Sequence, residues 1–178
     1  MAHPLFARLD RQLELVKKEL ANAEQAEARF QRLKKLGQNY YHEWSHSASL
    51  ADGIQAIYTG LESILEAIAN EIDGYMPQGD STHANLVDGM AVEVSEVRPA
   101  VLNERTRELM HNVRRFRHVV RHRYALELKT NDVAKNFREV RKLAHEFEKD
   151  YRRFVKHMTE DKNDGGDQPP SPGASGRR

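Results

Sequence analysis

From Arg114 to Tyr124 the chain reads Arg114, Arg115, Phe116, Arg117, His118, Val119, Val120, Arg121, His122, Arg123, Tyr124. A guanidinium is permanently charged and presents a planar fork of donors to a phosphate, whereas an imidazole titrates near neutral pH and can carry a proton. Together they supply the two things that cleavage of a phosphodiester needs, a cation against the developing phosphorane charge and a base for the attacking hydroxyl.

The surrounding charge agrees with a polyanionic ligand. The net charge of the chain is only +1, but residues 101–158 hold 16 Lys and Arg against 8 Asp and Glu, whereas residues 1–100 hold 9 against 15. A local excess of cations of this kind gathers nucleic acid, although two solvated helix faces would read the same way. Absence of cysteine excludes disulfides, thiol nucleophiles and thiolate zinc sites. Met1–Asp10 lacks the apolar run of a secretion signal, and no segment offers the roughly 20 apolar residues of a membrane span. These features predict a soluble, cytoplasmic protein with no membrane association.

The elements that must position the cluster read as helices. Leu5, Leu9, Leu13, Val16, Leu20, Ala23, Phe30 and Leu33 recur mostly at three and four residues after Pro4, which predicts one long helix to about Leu36. At ~1.5 Å per residue this helix would reach roughly 50 Å, long enough for a coiled-coil-like arm or a subunit contact. Ser45, Ser47 and Ser49 then predict a polar helix junction, followed by a second helix from Leu50 through Ile54, Ile57, Leu61, Ile64 and Ile68 to Gly74. Glu62, Glu66 and Glu71 fall on its polar side, as solvated carboxylates. Ser81 or Thr82 is positioned to cap a short third helix carrying Leu86, Val87 and Met90, with His83 in its first turn. Pro99 opens a fourth helix that runs into the cluster. Thr130, Asn131 and Asp132 cap a fifth, in which Val133, Phe137, Val140, Ala144, Phe147, Tyr151, Phe154 and Met158 alternate at four- and three-residue steps. The expected fold is all-α, an antiparallel bundle of about five helices in one domain over 1–158, with a disordered tail over 159–178 rich in Gly, Pro, Ser and Asp.

A second motif competes for attention. His42, Glu43, Trp44, Ser45 and His46 spell H-E-x-x-H, the spacing that places two zinc ligands one helical turn apart, and Glu62, Glu66 or Glu71 can be nominated as a third ligand. The serines argue that the helix is interrupted there, which favours the junction over a zinc peptidase.

On a helical wheel Leu109, Val113, Phe116, Val120 and Tyr124 form one apolar stripe, with Arg117 at its edge. His122 lies about 140° around the axis from Arg117 at ~100° per residue. In a straight helix the two cannot grip one phosphate, so either the helix distorts or a second subunit completes the site.

An all-helical chain with Arg117, four residues, His122, one residue and Tyr124 resembles the HEPN superfamily, and within it the HepT toxins with their R-x4-H-x-Y motif. Arg152 with His157 repeats the R-x4-H spacing, and Arg138 with His145 approaches it, but neither pair is followed by a tyrosine two positions on. The resemblance implies a dimeric, metal-independent ribonuclease without a cofactor, in which Arg117 and His122 are catalytic. Arg114, Arg115, His118, Arg121 and Arg123 would guide the RNA backbone. It also implies a partner, a nucleotidyltransferase antitoxin like MntA, that neutralises the toxin by AMP transfer to Tyr124. The helical reading alone makes Tyr124 a buried stripe residue. A non-catalytic HEPN module that binds nucleotides or supports such a partner is the alternative function.

Overall fold

The computed structural model describes residues 4–37, 40–79, 81–122 and 129–160, with the backbone alone for Tyr40, Tyr41, His42, Arg121 and His122. Five α-helices account for most of it: α1 (Pro4–Lys34), α2 (Tyr40–Ile68), α3 (Thr82–Met90), α4 (Glu104–His122) and α5 (Thr130–Glu160). Among the described residues no strand forms beyond an isolated bridge between Val94 and Arg98. No described helix is long and apolar enough to cross a membrane.

Helix α1 is no projecting arm. Its Leu5, Phe6, Leu9, Leu13, Val16, Ala23 and Phe30 are buried in the bundle. It lies antiparallel to α2, with Phe30 stacked on His46 at one end and Arg8 paired with Glu71 at the other. Between these ends the backbones come close: a Cβ on Gly60 would collide with the side chain of Val16, and one on Gly53 would touch Ala23 at 3.5 Å. Helix α5 also runs antiparallel to α1. Phe6 meets Phe154 edge to face at 6.1 Å, while Lys17 pairs with Glu148 and Glu24 with Arg141 nearer the other end.

The expected junction at 45–49 is absent, because α2 begins at Tyr40 and continues through His46. Ser47 does not act as a cap for a helix beginning at Leu50. Its buried hydroxyl donates instead to Thr130 Oγ1 at 3.1 Å and fastens the start of α2 to the start of α5. Helix α2 is also more central than a single stripe implies. Tyr58, Leu65 and Ala69 are buried together with Ile54, Ile57, Leu61, Ile64 and Ile68. A π-helical turn over Ala69–Asp73 extends the helix, and Gly74 ends it at φ 64°, a left-handed cap that glycine adopts without a Cβ clash.

Ser81 precedes α3 without a side-chain capping bond, and the Thr82 hydroxyl donates back to Gly79 O at 2.5 Å. Helix α4 starts at Glu104, not at Pro99. The intervening segment is held by Arg98, which is buried. Its Nε and Nη2 donate to the two Asp73 oxygens at 2.6 and 2.8 Å, and it also donates to the carbonyls of Gly89, Val92 and Pro99. Asn103 then caps α4, its Oδ1 accepting from Thr106 N at 2.9 Å. The buried Asp150 of α5 fixes that cap by accepting from Asn103 N and Nδ2. Helix α5 matches its predicted span, with Val133, Phe137, Val140, Ala144, Phe147, Tyr151 and Phe154 buried. Thr159 and Glu160 belong to this helix, so of the expected tail only 161–178 lies outside the described residues.

Candidate functional site

Helix α4 buries Leu109, Met110, Val113 and Phe116 against the core, which turns Arg117 along the edge of that stripe toward α2. Its Nη1 donates to Glu62 Oε2 at 3.3 Å, and its guanidinium carbon stands 5.5 Å from the centroid of the Tyr58 ring. The arginine side chain is 16 % exposed and that of Glu62 only 4 %. Glu62 is therefore not a solvated carboxylate on a polar face. It is a buried charge that requires a partner, and Arg117 is one.

Tyr58, Glu62 and Glu66 follow at four-residue steps and form a column along α2. His83, brought in by the first turn of α3, places Nδ1 2.9 Å from Glu62 Oε1. The Glu66 carboxyl is pushed above its ordinary range, first by burial and then by the Glu62 charge, while His83 and Arg117 oppose the shift. The Tyr58 phenol is held protonated well above its usual range, again chiefly by burial and then by Glu62. Its hydroxyl has no hydrogen-bond partner among the described residues. Two helices and the start of a third thus meet around one guanidinium, one imidazole and two carboxylates.

Arg114, one turn before Arg117, turns the same way. Its Nε is buried without a hydrogen bond, and its charge acts on the Tyr58 phenol. Arg115 is exposed on another face of α4 and bonds to Asn112. His118 is exposed as well. Arg121 and His122 occupy the last turn of α4, where only the backbone is described, and Arg123 and Tyr124 lie outside the described residues. The helix is α-helical without interruption from Glu104 to His122, so the distortion considered for bringing Arg117 and His122 together does not occur in the backbone. The angular separation of about 140° between the two positions stands.

The H-E-x-x-H motif has a structural use. His46 lies flat on Phe30 with ring centroids 3.8 Å apart, and its Nε2 is 2.7 Å from Glu27 Oε2. Of its nominated third ligands, Glu62 and Glu66 lie instead with His83, and Glu71 pairs with Arg8. Glu62, the residue that sequence reasoning set on the solvent side, was signalled by Tyr58, Leu65 and Ala69. A helix apolar on more than one face is buried all round, and a carboxylate on such a helix is buried with it.

A family model described as HepT-like protein matches residues 49–158, and the chain belongs to that family. No curated protein and no solved structure gave a significant match. The matched span takes in α2 from Ser49 onward, the whole of α3 and α4, and α5 as far as Met158, and hence Tyr58, Glu62, Glu66, His83 and Arg117.

Proposed function

We propose that the chain is the toxin of a toxin–antitoxin pair, an endoribonuclease that cleaves RNA without a metal ion. Arg117 and His122 are its catalytic groups, supplied across a homodimer. The observation that carries the reading is the seating of Arg117. A cation that merely decorated a helix would extend into solvent, whereas this one, on the helix that carries Arg117 and His122, is held by a buried carboxylate and an aromatic face of α2.

In this mechanism His122 removes the proton from a ribose 2′-hydroxyl. The 2′-oxygen bonds to the adjacent phosphorus as the bond to the 5′-oxygen breaks, and the departing alkoxide is protonated by solvent. The products are a 2′,3′-cyclic phosphate and a 5′-hydroxyl. Arg117 neutralises charge on the phosphorane, which is where a preorganised cation is worth most. Glu62 is a positioning residue, fixing the guanidinium before RNA arrives. Arg114, Arg115, His118, Arg121 and Arg123 hold the backbone on either side. Tyr124 accepts AMP from a nucleotidyltransferase antitoxin similar to MntA, and the added anion competes with the RNA phosphate for the arginines.

The test is cleavage of RNA by the purified chain in EDTA, with analysis of the ends. Cyclic phosphate ends are expected, along with a loss of about 10²- to 10⁴-fold in folded His122→Ala, the usual scale of acid–base assistance. Undiminished cleavage by that variant would remove His122 from the mechanism. Nucleotide binding without cleavage would favour the non-catalytic module.

A further inference from the structure

We propose that Glu62, Glu66 and His83 form a binding site for one divalent transition-metal ion. The ion would share Glu62 with Arg117, and the site does not depend on the ribonuclease reading.

One donor atom from each of the three residues can be chosen such that all lie within 4.8 Å of one another. A tetrahedral ion with bonds of about 2.0 to 2.2 Å requires donors roughly 3.4 Å apart, so small side-chain rotations close the site. The Glu62 carboxylate is divided between two tasks. Oε2 accepts from Arg117, whereas Oε1 points to His83 and makes no hydrogen bond, although it is buried. A buried anionic oxygen 2.9 Å from an imidazole nitrogen is an arrangement in which a cation can stand in place of the imidazole proton. Glu66 adds a second carboxylate one helical turn along α2. The Arg117 guanidinium takes up only one of the four carboxylate oxygens of Glu62 and Glu66.

Access and rigidity also fit. His83 is 48 % exposed while Glu62 is 4 % exposed, so the cluster opens to solvent on the α3 side and is anchored on the α2 side. Three protein ligands leave a fourth position for water. One imidazole with two carboxylates suits Zn2+ better than Mg2+, which prefers an all-oxygen shell. The H-E-x-x-H motif does not offer a rival of this kind, because His46 is occupied by Phe30 and Glu27.

The experiment strips the full chain with chelator and titrates it with Zn2+ against a competing fluorescent chelator, in a large excess of Mg2+. One tight equivalent per chain is expected. His83→Ala, which removes a half-exposed side chain and leaves the core intact, should weaken it at least tenfold, and Glu66→Gln likewise. His145→Ala on α5 serves as the control for adventitious imidazole binding and should leave the affinity unchanged. No tight equivalent in the wild type, or one unaltered by His83→Ala in a protein with an unchanged melting profile, overturns the proposal.

Discussion

If the active site is assembled from Arg117 of one protomer and His122 of another, two inactive variants should restore each other. Helix α4 is unbroken between these residues, which are five positions apart. That spacing turns the helix by about 140° beyond a full revolution and advances it by ~7.5 Å, so the two positions lie on different faces of the helix. Folded Arg117→Ala and His122→Ala proteins should each lose RNA cleavage. Mixed in equal amounts, denatured and refolded together, they should distribute statistically, so that about half of the dimers are hybrids in a two-fold assembly. Each hybrid holds one site with both groups and one with neither, so the mixture should recover about a quarter of wild-type activity. The assay is cleavage of a fluorogenic RNA in EDTA, with native mass spectrometry to count hybrids. Hybrids present at the statistical level without recovered activity would refute the shared site, and with it the explanation for the spacing.

Three other outcomes follow from the packing and electrostatics. Glu62→Gln should lower kcat about tenfold with KM little altered, a loss of about 1.4 kcal/mol from a displaced Arg117; unchanged kcat would show that Glu62 does not position the guanidinium. Gly60→Ala should destabilise the fold by ~1–3 kcal/mol because its Cβ meets Val16, and Val16→Ala in the same chain should recover part of that loss in urea denaturation. Asp88 should supply a small pH-dependent contribution, below about 1 kcal/mol because its side chain is 50 % exposed. Burial raises its pKa, but hydrogen bonds from His111 and Arg107 outweigh this and hold it below the ordinary value. The contribution is therefore present above the unfolded pKa of about 3.9 and lost as pH falls through the lower folded value, so Asp88→Asn should cost melting temperature at pH 7 and nothing in strong acid.

How much of this was legible depended on whether a residue's role was local. The spacing from Val133 to Phe154 defined α5 because every one of those side chains does what periodicity assumes, facing one core. Arg117 was placed correctly at the edge of its stripe for the same reason. Ser47 misled because its hydroxyl serves Thr130, far along the chain, and Pro99 misled because Arg98 holds the segment around it away from helix. Glu62 escaped notice as a buried group because only one apolar stripe of α2 was read, although Tyr58, Leu65 and Ala69 carry apolar character onto a second face; its partners on α3 and α4 are not visible in that spacing. What the wheel could give was the angle between Arg117 and His122, and the unbroken α4 leaves that angle in force.

Arg98 has a consequence that reaches beyond its own burial. Its donors join the turn that ends α2, the last carbonyls of α3 and its vicinity, and the approach to α4. Those are the three helices that bring Glu62, His83 and Arg117 together, so the alignment of the cluster is set by a clasp at the opposite margin of the same helices. Substitution of Asp73 or Arg98 would let each helix slide or tilt separately. Such a variant would keep Glu62, Glu66, His83 and Arg117 and still lose their arrangement, presenting as a defect whose cause lies in the scaffold.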